Sequence, residues 1–578
     1  MHSSIRIDRD VPIEMRDGTV LRADIYRPDD GQKHPAVLFR SYSSVYGRPM
    51  PLLHDLVQAG YAFVNSDLRG RGASEGEWDP SKNFTVEGPD GHDTVEWIAA
   101  QPWCDSNVGM IGLSHATHFQ YMAAIEQPPH LKAIAPWTGG FNEMYVPPLA
   151  GGAISFITTL IWLPRESADA VNRLESQGQD VTEMRRALAW AVNNPEEVAN
   201  YLPFKEVPLA RLGRIGELLD WRLHPVSQAE LERHRQYDKV MVPCFHECGW
   251  YDGVAWAEFE NFNNLRERGG SQLARDGQHI TAGPWPHSMQ FQNSLGDLNF
   301  GFSADNMGSG IHQHQIAFFD KYMRGRDIEI PAVRYFVMGI NQWRTADSWP
   351  LPQTQWQRFY LHSKGGANTA AGDGLLSRDE PGSEPPDLFV YDPHRPVPTV
   401  GGPLIGALPG AGVLAGPIEQ SHVEKRHDVL CYTTPELEED VEVTGPLQLH
   451  LLAATSTRDT DFTAKLVHVY PDGRAYNLAE GIMRASGRKF ISERELVNPG
   501  EVYEYVITLG HTSQLFPKGH RFRIDISSSN FPQFDRNMNT GNPIGEDARG
   551  IPAMQTVYHQ AEYASYVDLP VIPRRSTR

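Results

Sequence analysis

Six short apolar runs, each set between turn residues and helix-like stretches, constrain the fold of this chain more than any other feature. They are AVLF (36–39), AFV (62–64), VGMI (108–111), LKAIA (131–135), VMVPCF (240–245) and HITA (279–282). Several lead through a turn into segments with helical periodicity, such as GHDTVEWIAAQ from Gly91 and HFQYMAAIEQ from His118. Strand alternating with helix predicts a parallel, doubly wound α/β sheet. At 578 residues the chain exceeds what one core organises, so two or three domains are expected.

The pattern divides the chain. Residues 1–139 and 239–351 read as two parts of the sheet domain, opening with a strand hairpin that turns at Asp17-Gly18. Residues 140–238 carry long helical stretches (VTEMRRALAWAVNN, PEEVANYL, LERHRQYD) without obvious strands. Loops beyond the carboxyl ends of parallel strands carry ligand sites, so such an insertion reads as a helical cap or lid. From 352 to 578, Gly- and Pro-rich connections lead into alternating strands; LQLHLL sets Leu447, Leu449 and Leu451 on one face, and RFRIDIS does the same with Phe522, Ile524 and Ile526. That reads as a β-sandwich or jelly roll.

Bulk properties exclude several classes. A net charge of -20 repels phosphate backbones, so nucleic acid is not an expected partner. The N-terminus lacks an apolar secretory core, and the longest apolar stretch, AISFITTLIWLP from Ala153, is too short to span a bilayer. Four scattered cysteines form no disulfide framework and suit a reducing cytoplasm. Cys244-Phe-His246-Glu-Cys248 has no second ligand pair at finger spacing, so no metal is expected.

Two serines compete for the role of nucleophile. Residues 72–76 read GASEG, a literal G-x-S-x-G, and residues 112–117 read GLSHAT, which matches only its first half. A nucleophile elbow needs a buried strand, a sharp turn and a helix beginning just after the serine. Ser74 is flanked by the charged, glycine-rich SDLRGRGA and by EGEWDPSKN, which together read as a loop. Ser114 is flanked by the apolar NVGMIGL and by the helical HATHFQYMAAIEQ, so the flanks select Ser114.

The set DLRGRGASEG, WCDSNVGMIGLSHA, GWYDG, AGPWPHS and SSSNFPQFDRNMNTG, in this order over almost the whole chain, resembles the CocE/NonD hydrolases. These are cocaine-esterase-like α/β-hydrolases related to X-Pro dipeptidyl-peptidases and α-amino-acid ester hydrolases. The resemblance implies an α/β-hydrolase domain with an inserted helical cap and a C-terminal jelly roll, and no cofactor. It also implies the triad Ser114, Asp252 and His287, which agrees with the flanks and with the α/β-hydrolase chain order. His246 and His115 are rival bases; His246 sits where a structural histidine is expected, and the backbone N–H of His115 is what the elbow uses. For the second oxyanion donor the resemblance points to a tyrosine hydroxyl in FRSYSSVYG, which is Tyr42, with Tyr46 as the alternative. The family usually has an aromatic residue after the serine and a glycine three residues on; this chain has His115 and Thr117 there. Among aromatic residues, Trp162 and Trp250 are the candidates for lining a substrate pocket.

The expected function is therefore a serine hydrolase that cleaves esters of small or aromatic acyl groups through an acyl-enzyme. Amide or peptide hydrolysis (β-lactam acylase, α-amino-acid ester hydrolase or dipeptidyl-peptidase type) is the alternative. A carbohydrate-binding protein with an inactive hydrolase domain is a second. The expected partner is a small-molecule ester or amide, and a homo-oligomer is left open.

Overall fold

The computed structural model describes residues 4–42, 51–79, 83–141, 149–224, 235–287, 292–408, 412–489 and 494–573. The hairpin of β1 (Ile5–Glu14) and β2 (Val20–Pro28) closes through Gly18, whose φ of 84° suits a residue without a Cβ. There follow β3 (His34–Ser41), β4 (Ala62–Asp67), β5 (Cys104–Leu113) and β6 (Leu131–Trp137). After an inserted segment come β9 (Cys244–Tyr251) and β10 (Gln278–Pro286), then β13 (Val333–Val337) and β14 (Gln342–Ala346). Two-residue strands make up the rest: β7 (Leu149–Ala150) with β8 (Ala153–Ile154), and β11 (Ser294–Leu295) with β12 (Leu298–Asn299).

Ten of these strands form one sheet in the order β1-β2-β4-β3-β5-β6-β9-β10-β13-β14, parallel from β4 to β13. Alternate residues of one strand enter different cores, as a sheet covered on both faces requires. Ala36 and Leu38 of β3 pack with Val95, Ile98 and Tyr121, whereas Val37 and Phe39 pack with Leu56, Phe318 and Phe319. Helices Asn83–Ala99 and His115–Ile125 therefore cover one face, and Pro51–Gln58 and Ile311–Arg324 the other. This is the α/β-hydrolase architecture.

Two strand ends differ from the sequence reading. VMVPCF and HITA suggested strands ending near Phe245 and Ala282, yet β9 starts at Cys244 and runs to Tyr251, and β10 runs to Pro286. The cause is that Gly249 and Gly283, which resemble turn signals, are paired residues in the β9/β10 ladder. A Cβ on Gly249 would lie 2.0 Å from the Trp285 carbonyl oxygen, and one on Gly283 2.6 Å from the Trp285 ring. These glycines permit close approach, which composition alone does not distinguish from turning. The helix expected from Gly91 also begins earlier, at Asn83.

The insertion is mostly helical, with helices Phe156–Ser176, Thr182–Asn193, Pro195–Ala199 and Arg214–Leu223 packed on a shared apolar core. The expectation of no strands there is corrected by the small β7/β8 hairpin. The helix expected over LERHRQYD (231–238) has its first half, 231–234, outside the described residues, and its second half holds only the start of a 3₁₀ turn, Tyr237–Lys239.

The C-terminal region is rich in β structure: eleven strands between Gln355 and Ile572 join in one hydrogen-bonded sheet. All its pairings are antiparallel save that of Leu375–Ser377 with Leu430–Thr433. Leu447, Leu449 and Leu451 are buried together with Phe522, Ile524 and Ile526 in a core that continues through Trp250, Tyr335 and Trp349 of the α/β domain. Among the described residues no helix is long and apolar enough to cross a membrane.

Candidate active site

Ser114 stands in a turn between β5, at the middle of the sheet, and the helix His115–Ile125. Its φ of 58° and ψ of -122° are strained for a residue with a Cβ, which is the backbone state of a nucleophile elbow. Gly112 makes the turn possible: a Cβ there would lie 2.5 Å from that of Ala116. The Ser114 N–H donates to the Trp137 carbonyl at 2.9 Å, tying the turn to β6.

Thr117, where a glycine was expected, has a specific local role. Its hydroxyl lies 3.0 Å from the Gly112 carbonyl oxygen and 2.6 Å from that of Trp137, and it accepts the Trp137 N–H at 2.9 Å. The side chain thus fastens the elbow helix to the ends of both β5 and β6.

Asp252 follows β9 directly and His287 follows β10 directly, so the two neighbouring strands deliver both side chains to one edge. The His287 Nδ1–H donates to Asp252 Oδ1 at 3.0 Å, and the Ser114 hydroxyl donates to His287 Nε2 at 2.9 Å. Asp252 Oδ1 also accepts the Val254 N–H at 3.0 Å, which fixes the carboxylate. Asp252 and His287 are 3% and 5% exposed. A partly exposed serine in series with a buried imidazole and carboxylate can have its hydroxyl activated and the imidazolium that forms held in place.

Ser74 is elsewhere. Its Oγ accepts the Arg22 N–H at 2.9 Å and donates to the Asp67 carbonyl at 3.0 Å, so the literal motif is a buried turn. His246 is also apart from Ser114: its Nδ1 lies 2.9 Å from Glu258 Oε2 and its Nε2 2.9 Å from Gln278 Oε1, both buried.

A cavity of about 280 Å³ opens onto Ser114 and His287. Tyr42, at the end of β3, lines it, with its ring edge-on to that of His115 at 4.7 Å. Tyr46 lies outside the described residues. Trp162 lines the same cavity and stacks with the His115 ring at 6.0 Å. Burial pushes the His115 imidazole well below its usual pKa, helped by the nearby charges of Arg165 and Arg222, so the ring is neutral. Its backbone N–H lies in the first turn of the elbow helix, at the positive end of the helix dipole.

Trp250 is not brought to this cavity. Its ring stacks on Phe259 and Trp349, both at 5.9 Å, and its Nε1–H donates to the Phe336 carbonyl. It borders a second cavity of about 270 Å³ with Asp252 and Glu480. Arg165, Arg222 and Ile405, by contrast, line the cavity at Ser114 and were not anticipated. The first two lie on amphipathic helices of the insertion, where an arginine resembles an ordinary solvated residue, and the third lies 291 positions along the chain from Ser114 (405 less 114).

Comparison with known proteins places this geometry in a family. The sequence profile of the X-Pro dipeptidyl-peptidase (S15 family) matches residues 17–289, and that of the X-Pro dipeptidyl-peptidase C-terminal non-catalytic domain matches residues 329–568. Cocaine esterase from Rhodococcus sp. (strain MB1 Bresler) is 35% identical over 585 residues, covering 98% of each chain. An α-amino-acid ester hydrolase structure superposes with a TM-score of 0.80 at 23% identity, covering 98% of this chain and 97% of the other. An aminopeptidase structure from a marine sediment Thaumarchaeota archaeon gives 0.79 at 24%, with 99% and 97% covered; these two likenesses concern the fold. The chain belongs to the cocaine-esterase-like, S15-type α/β-hydrolase family and is a hydrolase.

Proposed function

We propose that this hydrolase is a carboxylesterase acting through an acyl-enzyme on Ser114. The observation that carries the reading is the unbroken series Ser114 Oγ, His287 Nε2, His287 Nδ1, Asp252 Oδ1, with links of 2.9 and 3.0 Å. Ser114 Oγ attacks the ester carbonyl while its proton passes to His287 Nε2. The carbonyl oxygen becomes an oxyanion, which the His115 N–H and the Tyr42 hydroxyl stabilise. Collapse breaks the ester C–O bond, and the imidazolium returns its proton to the leaving alkoxide as the alcohol departs. Water then repeats the sequence on the acyl-enzyme, with His287 as base, releasing a carboxylic acid and restoring Ser114. Asp252 holds the productive tautomer throughout.

Esters are favoured over substrates bearing an α-ammonium group because no described residue lining the cavity at Ser114 is a carboxylate, while two are arginines. An inactive, glycan-binding protein would have no use for a serine kept in hydrogen-bond contact with a buried histidine and carboxylate. The test is intact mass after treatment with a fluorophosphonate, with the adduct mapped, on the natural chain and on His287→Ala. One adduct on Ser114, lost in the variant, is the expected result; no adduct, or one on Ser74, rejects the reading.

A further inference from the structure

The cavity at Ser114 differs in sign from the molecule that surrounds it. The chain carries a net charge of -20, yet Arg165 and Arg222 both line this cavity and no described lining residue is acidic. The rest of the wall is apolar or neutral, including Tyr42, Trp162 and Ile405.

Both arginines are held by the helical insertion. Arg222, on helix Arg214–Leu223, is 3% exposed; its guanidinium lies 5.2 Å from the Trp162 ring centre, with Nε and Nη2 each 3.4 Å from Thr159 Oγ1. Arg165, on helix Phe156–Ser176, is half-exposed and forms an ion pair with Glu166 through its Nε at 3.2 Å; Glu166 is shared with Arg71, so one buried carboxylate faces two guanidinium groups, and the dry positive wall is chiefly that of Arg222. Both positive charges are felt inside the cavity, where they help to keep the His115 ring neutral. A guanidinium cannot shed its charge and offers a planar fork of donors suited to a carboxylate. Low-dielectric walls of one sign concentrate counter-charged ligands.

We infer that the part of the substrate filling this cavity carries a carboxylate, so that the natural ester is a half-ester or carboxy-substituted ester rather than a neutral or amine-bearing one. The inference rests on the esterase reading above and assigns Arg165 and Arg222 as specificity-determining residues of that site. The bond broken is the same ester C–O bond, and the carboxylate passes unchanged into one of the two products.

The test is the ratio of kcat/KM for matched esters. Phenyl 4-carboxybenzoate is compared with phenyl 4-carbamoylbenzoate, placing the charge on the acyl side. 4-Carboxyphenyl benzoate is compared with 4-carbamoylphenyl benzoate, placing it on the leaving group. The carbamoyl group has nearly the same size and no charge. At least one carboxylated ester is expected to be preferred by about 10- to 100-fold, the range supplied by charge-assisted hydrogen bonds. The pair showing the preference identifies which side of the ester enters the cavity. Arg165→Met, Arg222→Met and the double variant are expected to reduce that ratio progressively towards one, and added salt to reduce it in the natural chain. Ratios near one for both pairs in the natural chain, or a preference that survives the double variant, overturn the inference; the natural-chain ratio decides even if a variant fails to fold. Fluorophosphonate labelling of Ser114 separates the two levels: labelling with no carboxylate preference, or with no turnover of either pair, refutes only the substrate class. Absence of labelling together with absence of turnover refutes the esterase reading and the inference with it.

Discussion

Ser74→Ala and Ser114→Ala are nearly identical changes in chemistry, each removing one oxygen from a serine in a glycine-rich motif, and they should have opposite consequences. Ser74 is 1% exposed, and its Oγ accepts the Arg22 N–H and donates to the Asp67 carbonyl. Alanine strands the Arg22 N–H, whereas the Asp67 carbonyl retains the Ser66 hydroxyl at 3.3 Å. One buried donor left without an acceptor costs about 1–3 kcal/mol. For a cooperative unit of roughly 150–250 residues, each kcal/mol moves Tm by about 2–4 °C, so the transition of the α/β domain should fall by several degrees. Turnover of a simple aryl ester should stay within the same order of magnitude. Ser114→Ala should do the reverse, losing on the order of 10⁶ in kcat. Its effect on Tm should be small or favourable: alanine keeps the Cβ and with it the backbone strain of the elbow, while the hydroxyl it removes is a group kept for activity and not for stability. Calorimetry and initial rates on the two purified variants decide the matter. A Ser74→Ala protein with unchanged Tm and abolished turnover would refute the placement of the nucleophile.

Asp252→Asn keeps the shape of the triad and presents the wrong hydrogen-bonding group to His287 Nδ1; kcat should fall by about 10⁴ in steady-state assays, with KM little affected. Tyr42→Phe should lower kcat by about 10²–10³ if the hydroxyl serves the oxyanion, and a change confined to KM would instead make Tyr42 a packing residue of the wall. His511 is half-buried beside the second cavity, accepts the Trp349 Nε1–H at 3.0 Å through Nδ1 and stacks on Phe259, and desolvation by these neighbours pushes its pKa down to about 3. Because that value lies below the ordinary one near 6.5, its neutral form contributes stability that is intact above pH 6.5 and is lost as pH falls from there towards 3. Thermal and urea melts from pH 7.5 to 4.5 should show the natural chain losing up to about 1.4 kcal/mol more per pH unit than His511→Gln, and parallel curves would refute the assignment.

The α/β alternation, the strand–turn–helix setting of Ser114 and the loop setting of Ser74 were legible in the sequence because all follow from local context: apolar runs, turn residues and helical periodicity adjoin one another along the chain. Strand ends were less legible. Gly249 and Gly283 read as turn signals, and only the approach of Trp285 shows that they belong to the ladder. Trp250 and Trp162 looked equivalent, each an aromatic residue near a motif or in the lid. What separates them is long-range: Trp250 is packed against Phe259 and Trp349 of the central core, and Trp162 faces the cavity at Ser114. Arg165 and Arg222 carried no local signal, since a cation on an amphipathic helix has the same pattern whether it meets water or a cavity.

The contacts of the C-terminal β region give it a part in the cavity at Ser114. Gln533 accepts the Phe156 N–H at 2.8 Å through its backbone carbonyl, at the start of the first lid helix, and its side-chain Nε2 donates to the Pro403 carbonyl at 3.2 Å. A Cβ on Gly253, the residue after Asp252, would lie 3.0 Å from both the Pro403 carbonyl oxygen and Ile405 Cγ1. Ile405 borders both cavities, the one at Ser114 and the one behind Asp252. One segment, 403–405, is thus clamped between the turn that carries Asp252 and the residue that holds the start of the first inserted helix. Deleting the C-terminal region would remove a wall from the cavity at Ser114 as well as a support of the helical insertion, so on the proposed function substrate discrimination should depend on a region that contributes none of Ser114, Asp252 and His287.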